Sequence, residues 1–468
     1  MLEKLYGGSK AIPLHAKRVV SLPRTMKFEQ EARGLFRDLQ REMNDIIVTL
    51  TRNNVQHVKF YNNKISVVKN LESYYLGIFG AIGKKIVFSD IKNLNAGKMN
   101  IIKSLTNFAK SSADNHDYHG IAKGPFKYLQ VPELYDKRIV NLGNRTLDIA
   151  EKGINSALAN GAKRVSGVFE SGENEILLLT SGKVDVKEKG TYLYFSIRAF
   201  SDKDASGHCV EVSRVMNKFN AEKTAEKAAN IAVMAKNPTN GPVGKFEILF
   251  DPLPFANLLD LVGNSASIFN TEAGLSFFQN CLNKKVASDI VNINDNGLLK
   301  NGLGSGKCDA EGFPSQNTII IQKGVFKNYL HNTSTAKKYN ARSSGNAGII
   351  APEPRNIVLK HCKDKFEKLL QSIKKGIYVT NVWYTRSTNL MTGDFSTMPR
   401  DATFYIENGK IKYPIKNIRI SDNMLNILRN ITNIANNSEQ VKGWEVEKPV
   451  TTPSILVKGL NITRPLEL

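Results

Sequence analysis

From Lys27 to Asn54 apolar residues recur at Phe28, Ala32, Leu35, Phe36, Leu39, Met43, Ile46, Ile47 and Leu50. Steps of three and four predict a long amphipathic helix over this stretch. The 26 residues before it, with Pro13 and Pro23, read as irregular. Past Asn54 the period shortens. Val55–Phe60, Ile65–Val68, Tyr74–Phe79 and Ile86–Phe88 are strand-like, and Asn62-Asn63 and Gly83-Lys84 supply turns between them, which predicts a β-meander. Asn95–Ala113 is helical again, with Met99, Ile102, Leu105 and Phe108 assigned to one stripe.

A loop containing Gly120, Gly124, Pro125 and Pro132 leads to a second helix, Asn144–Asn160, which Gly161 is placed to terminate. Four strand-like stretches follow, Arg164–Glu170, Glu175–Thr180, Tyr192–Phe200 and Cys209–Met216. An alanine-rich helix comes next, Ala221–Lys236, with Asn220 as its cap. Pro238, Gly241 and Pro242 mark the next boundary. Beyond it lie a strand (Lys245–Phe250), a mostly helical stretch (Pro254–Leu282), hairpins at 318–330 and 404–413, and a last amphipathic helix (Asp422–Ile434). The expected architecture is α+β. N-terminal helix and antiparallel-sheet units, 1–125 and 126–238, precede a C-terminal domain, 239–468, of mainly antiparallel sheet with flanking helices.

Composition narrows the function classes. No run of about 18 apolar residues occurs, so no membrane span is expected, and Met1–Lys17 lacks the apolar core of a secretory signal. The cysteines, Cys209, Cys281, Cys308 and Cys362, are far apart, which suits reduced thiols in a cytoplasm better than a disulfide framework. The net charge of +22 raises a nucleic-acid partner. The lysines fall in scattered pairs with no basic block or aromatic-interleaved ribbon, so a soluble basic surface is the favoured explanation.

Candidate chemistry is sparse. None of the seven histidines is followed by glutamate, so HExxH and HExxxH are absent. His116 and His119 sit in a polar stretch that reads as solvated loop. His208-Cys209 and His361-Cys362 are adjacent pairs whose side chains diverge on a strand. Gly302-Leu303-Gly304-Ser305-Gly306 follows no clear strand and opens no helix, so it reads as a flexible loop able to cover a cleft. Thr392-Gly393-Asp394-Phe395-Ser396 reads as a tight polar loop, with Asp394 either accepting from its own backbone or facing a ligand.

That last segment, followed by Phe404–Ile411 and Pro414, resembles the "TGDFS … IENGxIxxP" signature of the TldD/PmbA family, proteins once called modulators of gyrase. Asp309-Ala310-Glu311-Gly312 with Pro314, Gly324 and Tyr329-Leu330 is similar to its "D-EG-P … G-YL" stretch. Ala336 and Ser343–Ala347 resemble its "A … STGNA" stretch, and Asn62–Ile65 fits its early strand motif. The resemblance covers roughly residues 50–435 in the same order. Thr397–Ala402 departs from it, because the family has small, glycine-rich sequence there.

The resemblance implies two kinds of subunit. TldD-type chains carry an HExxxH helix that binds zinc and activates water, and TldE/PmbA-type chains lack it and pair with a TldD-type partner. Here the corresponding helix, around Leu258–Ile268, places Asp260 and Ser265 in the two histidine slots and Leu261 in the glutamate slot. The family's further cysteine ligand near the C-terminus is also missing, since no cysteine follows Cys362. The implied reading is a chain with no cofactor and no catalytic residue of its own. It would act in a metallopeptidase complex on unfolded or short peptides, with zinc in an HExxxH partner. Asn346, Thr392, Gly393, Asp394 and Ser396 are its peptide-cleft candidates. The alternative is a stand-alone peptide- or nucleic-acid-binding homodimer without protease activity.

Overall fold

The computed structural model describes residues 22–91 and 97–464. Two asparagines fix the first hairpin: Asn62 and Asn63 both take positive φ (52° and 68°), the turn that joins β1 (Asp45–Tyr61) to β2 (Lys64–Ile82). With β3 (Lys85–Ile91), β4 (Arg164–Thr180), β5 (Val184–Asp202) and β6 (Ala205–Ser213) they form one antiparallel sheet in the order β3-β2-β1-β4-β5-β6. Strands from both sides of residue 125 therefore share a sheet.

Among the described residues five α-helices accompany it: α1 (Leu22–Leu39), α2 (Lys98–Ser111), α3 (Lys137–Val140), α4 (Arg145–Ala159) and α5 (Ala221–Met234). The Asn220 side chain caps α5 by accepting from the Lys223 N–H, and Gly161 takes φ 92° just past α4. The alanines of α5 let it lie very close to β6. A Cβ at Gly207 would stand 2.2 Å from the Ala228 carbonyl, so no larger residue fits there.

The C-terminal part begins with the strand Gly244–Phe250 and helix α6 (Pro252–Ser265). Among the described residues it holds a six-stranded sheet, which ends in the hairpin strands Val446–Thr452 and Glu439–Gly443. It also holds a ten-stranded sheet, with Val382–Asn389 at one edge. Asn408 and Gly409 again have positive φ (49° and 72°) and join Thr403–Glu407 to Lys410–Lys416 as expected. One core cluster contains Phe60, Phe169 and Phe195 of the N-terminal sheet, alanines of α5, and Leu249, Phe404 and Leu456 of the ten-stranded sheet. It binds the two halves together.

Several elements differ from the sequence reading. The helix expected over 27–54 stops at Leu39, and Asp45 onward is strand β1. Ile46, Val48 and Leu50 bury on one face and Ile47 on the other, and this two-sided burial mimics helical spacing. Pro23, read as irregular, lies in the first turn of α1, where proline is tolerated. On α2, Met99 and Phe108 are 72% and 64% exposed. Nine residues at 100° each put them on opposite sides of the helix, and the buried stripe is Ile102, Leu105, Thr106 and Ala109. Asn95, its expected start, lies outside the described residues.

The stretches 164–170 and 175–180 are one strand, because polar Ser171–Asn174 pairs on both sides, with β1 and β5. The helix expected over 254–282 ends at Ser265. Ser267 turns extended to bridge Leu330, and only Ile268–Glu272 is helical beyond it. The last helix covers only Met424–Arg429, and β-branched Ile431 and Ile434 belong to a strand paired with Ile455–Thr463.

Candidate functional site

Three sheet edges meet at one place: β6, the strand Glu439–Gly443 and the strand Val382–Asn389. Between them lies a cleft of about 570 Å³, floored by Leu253 and Asn257 of α6. Edge strands present unpaired backbone groups, which makes such a junction suited to an extended chain.

Helix α6 holds the hairpin that walls the cleft. The Asn257 side-chain amide donates to the Glu445 carbonyl. One turn on, the Asp260 carboxylate accepts from the N–H groups of Glu447 (3.0 Å) and Lys448 (3.4 Å). Burial pushes the Asp260 pKa up to about 6. Leu261 is half-buried hydrocarbon. Ser265 is buried, and its carbonyl accepts from the Ser276 hydroxyl at 2.6 Å. These are the positions where the resemblance puts a zinc-binding helix, and their donors do not suit zinc. The carboxylate oxygens already serve backbone donors, one side chain has no donor atom, and the third is a hydroxyl. Among the described residues no group of three His, Cys, Asp or Glu is placed to hold a metal ion.

The opposite wall is a polar network. His208 on β6 meets Ser196 Oγ through Nε2 (3.0 Å) and the Asn381 amide through Nδ1 (3.2 Å). Asn381 Nδ2 can only donate, so Nδ1 accepts and Nε2 carries the proton. Burial pulls the His208 pKa down to about 4, so the ring is neutral. Asn381 Nδ2 and Ser206 Oγ both donate to the Asp401 carboxylate at 2.7 Å, and Arg198 Nε lies 2.8 Å from it. Asp401 and Tyr384 both take left-handed backbone (φ 64° and 60°), and non-glycine strain of this kind clusters at functional sites. Beside them Arg400 lies 3.7 Å over the Trp383 ring, and Trp444 stands at the hairpin tip, 91% exposed.

None of the five peptide-cleft candidates lines this cleft. Asn346 is buried, donating its amide to Asp295 and to the Glu353 carbonyl, while among the described residues its Oδ1 has no hydrogen-bond partner. Thr392 and Gly393 form a turn, and Asp394 and Ser396 start a strand rather than a loop. Asp394 accepts from the Asn423 amide and the Thr392 hydroxyl, which hold its carboxyl below the ordinary range. Ser396 accepts from Arg419. A Cβ on Gly393 would press on Phe277 at 3.1 Å. Cys209 is buried, its thiol pushed up to about 12, and is no nucleophile.

The glycine-rich segment 302–306 is pinned rather than flexible. Arg214 donates to the carbonyls of Gly302 and Ser305, and Arg355 to that of Gly304, where a Cβ would lie 2.0 Å from the Arg355 carbonyl. The cleft residues Trp383, Arg400 and Trp444, and Asp401 behind them, were not singled out in the sequence, and His208 was noted there only as half of the His208-Cys209 pair. The available signal was the departure at Thr397–Ala402, which contains two of them.

The other motif segments build a buried acidic node. Asp309 accepts from the N–H groups of Glu311, Phe313 and Ala347, and Glu311 accepts from that of Ala122. Burial, and then the neighbouring Asp309, push the Glu311 pKa up to about 8. A carboxyl raised this way favours the fold below its unfolded pKa of about 4.5, and that contribution is lost as pH climbs through about 8. Replacing Glu311 by Gln should therefore stabilise the protein at pH 9 relative to pH 5 by at least about 1 kcal/mol. Urea unfolding at the two pH values reads this, and parallel curves for both proteins would contradict it.

Family models for the PmbA/TldA metallopeptidase central domain and C-terminal domain match residues 132–236 and 243–464. The chain belongs to the PmbA/TldD family. Its α+β, largely antiparallel fold is also that of solved members. A protein described as a modulator of DNA gyrase from Thermotoga maritima superposes with TM-score 0.82 at 22% identity, covering 93% of this chain and all of that one. TldE from Thermococcus kodakarensis gives 0.81 at 18%, covering 92% and 100%. In sequence, an uncharacterised protein of Methanocaldococcus jannaschii is 26% identical over 86% of this chain and 95% of its own. A metalloprotease TldD homolog of Buchnera aphidicola is 28% identical over 51% of this chain and 52% of its own. Metalloprotease PmbA of Escherichia coli O157:H7 is 30% identical over 35% of each. Within the family, then, this chain spans about half, or less, of these two named metalloproteases. Among the described residues no helix is long and apolar enough to cross a membrane.

Proposed function

We propose that this chain is a non-catalytic subunit of a zinc metallopeptidase complex acting on unfolded or short peptides, with zinc held by an HExxxH-bearing, TldD-type partner. The observation that carries the reading is at α6. Asp260 accepts from the backbone of Glu447 and Lys448 through both carboxylate oxygens, and Leu261 and Ser265 beside it replace the expected glutamate and histidine, which supports reading the helix as a scaffold for the hairpin. The chain's contribution is to position peptide. Its cleft lies among three strand edges, and an extended substrate bound there gains main-chain hydrogen bonds without sequence preference.

A stand-alone, homodimeric peptide binder is the second reading, in which the cleft among the three strand edges takes an extended peptide with no TldD-type partner. Size-exclusion chromatography of the chain mixed with a TldD-type protein from the same genome separates the two. Co-elution as one species supports the subunit reading, and two independent peaks contradict it. A nucleic-acid role predicts binding that collapses with salt, which a filter-binding series from 50 to about 200 mM salt would show.

A further inference from the structure

The cleft contains an arginine that no carboxylate pairs with among the described residues. Arg198 is committed to Asp401. Arg386 stacks on Tyr384 (4.1 Å) and donates to the Thr385 carbonyl (2.8 Å). The Glu445 carboxylate is taken up by the N–H groups of Tyr384 and Thr385. Arg400 alone remains. Its flat face rests on Trp383, and among the described residues no hydrogen bond or ion pair engages its guanidinium. Counting Asp401 behind Arg198, three guanidiniums face two carboxylates, a surplus of one positive charge. Partial burial, and then the nearby Arg198, hold the Arg400 pKa below its ordinary value, and the more distant Asp401 offsets them only in part.

A guanidinium stacked on a ring keeps its in-plane donors free, and those donors match a carboxylate in bidentate fashion. Both tryptophans of the chain, Trp383 and Trp444, line this one cleft, 41% and 91% exposed. Large aromatics left so open at a concave site are binding surface rather than unused core. We propose that the cleft is a carboxylate-binding subsite: Arg400, backed by Trp383, receives the carboxylate of an extended peptide, and Trp444 flanks it from the hairpin tip. A surplus of one charge fits a monoanionic carboxylate better than a phosphate, which needs a cluster of basic groups. The rest of the peptide can follow the adjoining groove lined by Tyr192, Arg214 and Leu303, which shares Tyr194 and Gly443 with the cleft. This inference rests on the peptide-handling reading above and adds the chemical group recognised.

The carboxylate can be a chain terminus or an Asp or Glu side chain, and calorimetric titration of the full chain distinguishes them. The probes are a neutral hexapeptide as free acid, its C-terminal amide, and amidated peptides carrying Glu or Gln. A terminal carboxylate predicts that the free acid binds about tenfold tighter than its amide, and a side-chain source predicts the same ratio for Glu over Gln. Arg400→Met should erase the preference, Arg400→Lys should restore only part of it, and circular dichroism should show both variants folded. Trp fluorescence gives a second readout, since carboxylate peptides should perturb the emission and their amides should not. Equal binding of all four peptides, a preference that survives Arg400→Met, or no binding by any peptide would overturn the proposal. Failure of the subunit reading is read separately, in the chromatography with the TldD-type protein, where no peptide is present.

Discussion

Arg214→Ala should cost about 3–5 kcal/mol of unfolding free energy, one of the two largest losses expected of a single substitution here. Arg214 sits on the chain just after β6, is almost wholly buried, and has no carboxylate in ion-pair contact among the described residues. Its guanidinium instead serves the carbonyls of Leu134, Thr191, Gly302 and Ser305, at 3.0 to 3.2 Å. Burial pulls its pKa down to about 10, so it stays charged at neutral pH, its charge solvated by peptide dipoles. Truncation takes a donor from each of these carbonyls, leaving Leu134 and Gly302 only their backbone donors from Thr191 and Ser305, and removes one of the two arginines that pin segment 302–306. Arg214→Met keeps much of the volume and supplies no donor, so it should lose nearly as much. Urea denaturation gives the magnitude, and limited proteolysis should show new cutting between Leu299 and Gly306. A loss below about 1 kcal/mol for both variants would mean that water replaces the guanidinium.

The second large effect lies in the core that joins the halves. Phe195 is fully buried, 6.0 Å from Phe60 and 6.5 Å from Phe169 by ring centroids, and its ring fills the space opposite Gly153 of α4. Phe195→Ala should cost about 3–5 kcal/mol, the transfer term plus the cavity left in a site walled by rigid strands. A Cβ at Gly153 would stand 2.7 Å from the Phe195 ring, so Gly153→Ala should itself destabilise by overpacking, about 1–3 kcal/mol. Combining Gly153→Ala with Phe195→Leu should cost less than the sum of the two, because the smaller side chain makes room for the new methyl. Strict additivity would show that the helix shifts away instead.

What could be read in the sequence was local. The Asn62-Asn63 and Asn408-Gly409 turns, the Asn220 cap and the Gly161 stop each depend on a few adjacent residues with a fixed backbone preference, and each stands as expected. Burial on two faces hid the start of β1, and a polar stretch inside a doubly paired strand hid the middle of β4. The family could be recognised because its motifs recur in order. Yet two of its motif segments, Thr392–Ser396 and Asp309–Gly312, shape turns and a buried node and do not line the cleft. The cleft itself was hidden because its walls come from segments near 194–210, 253–257, 381–400 and 441–446, brought together only by three sheet edges converging.

The central claim is that this chain does not carry the hydrolytic metal. Zinc content and peptide hydrolysis should be measured together, on the chain purified alone and on its complex with a TldD-type protein. Substoichiometric zinc and no cleavage are expected for the chain alone, and one zinc per complex with cleavage that depends on it. One equivalent of zinc and chelator-sensitive cleavage in the chain alone would contradict it.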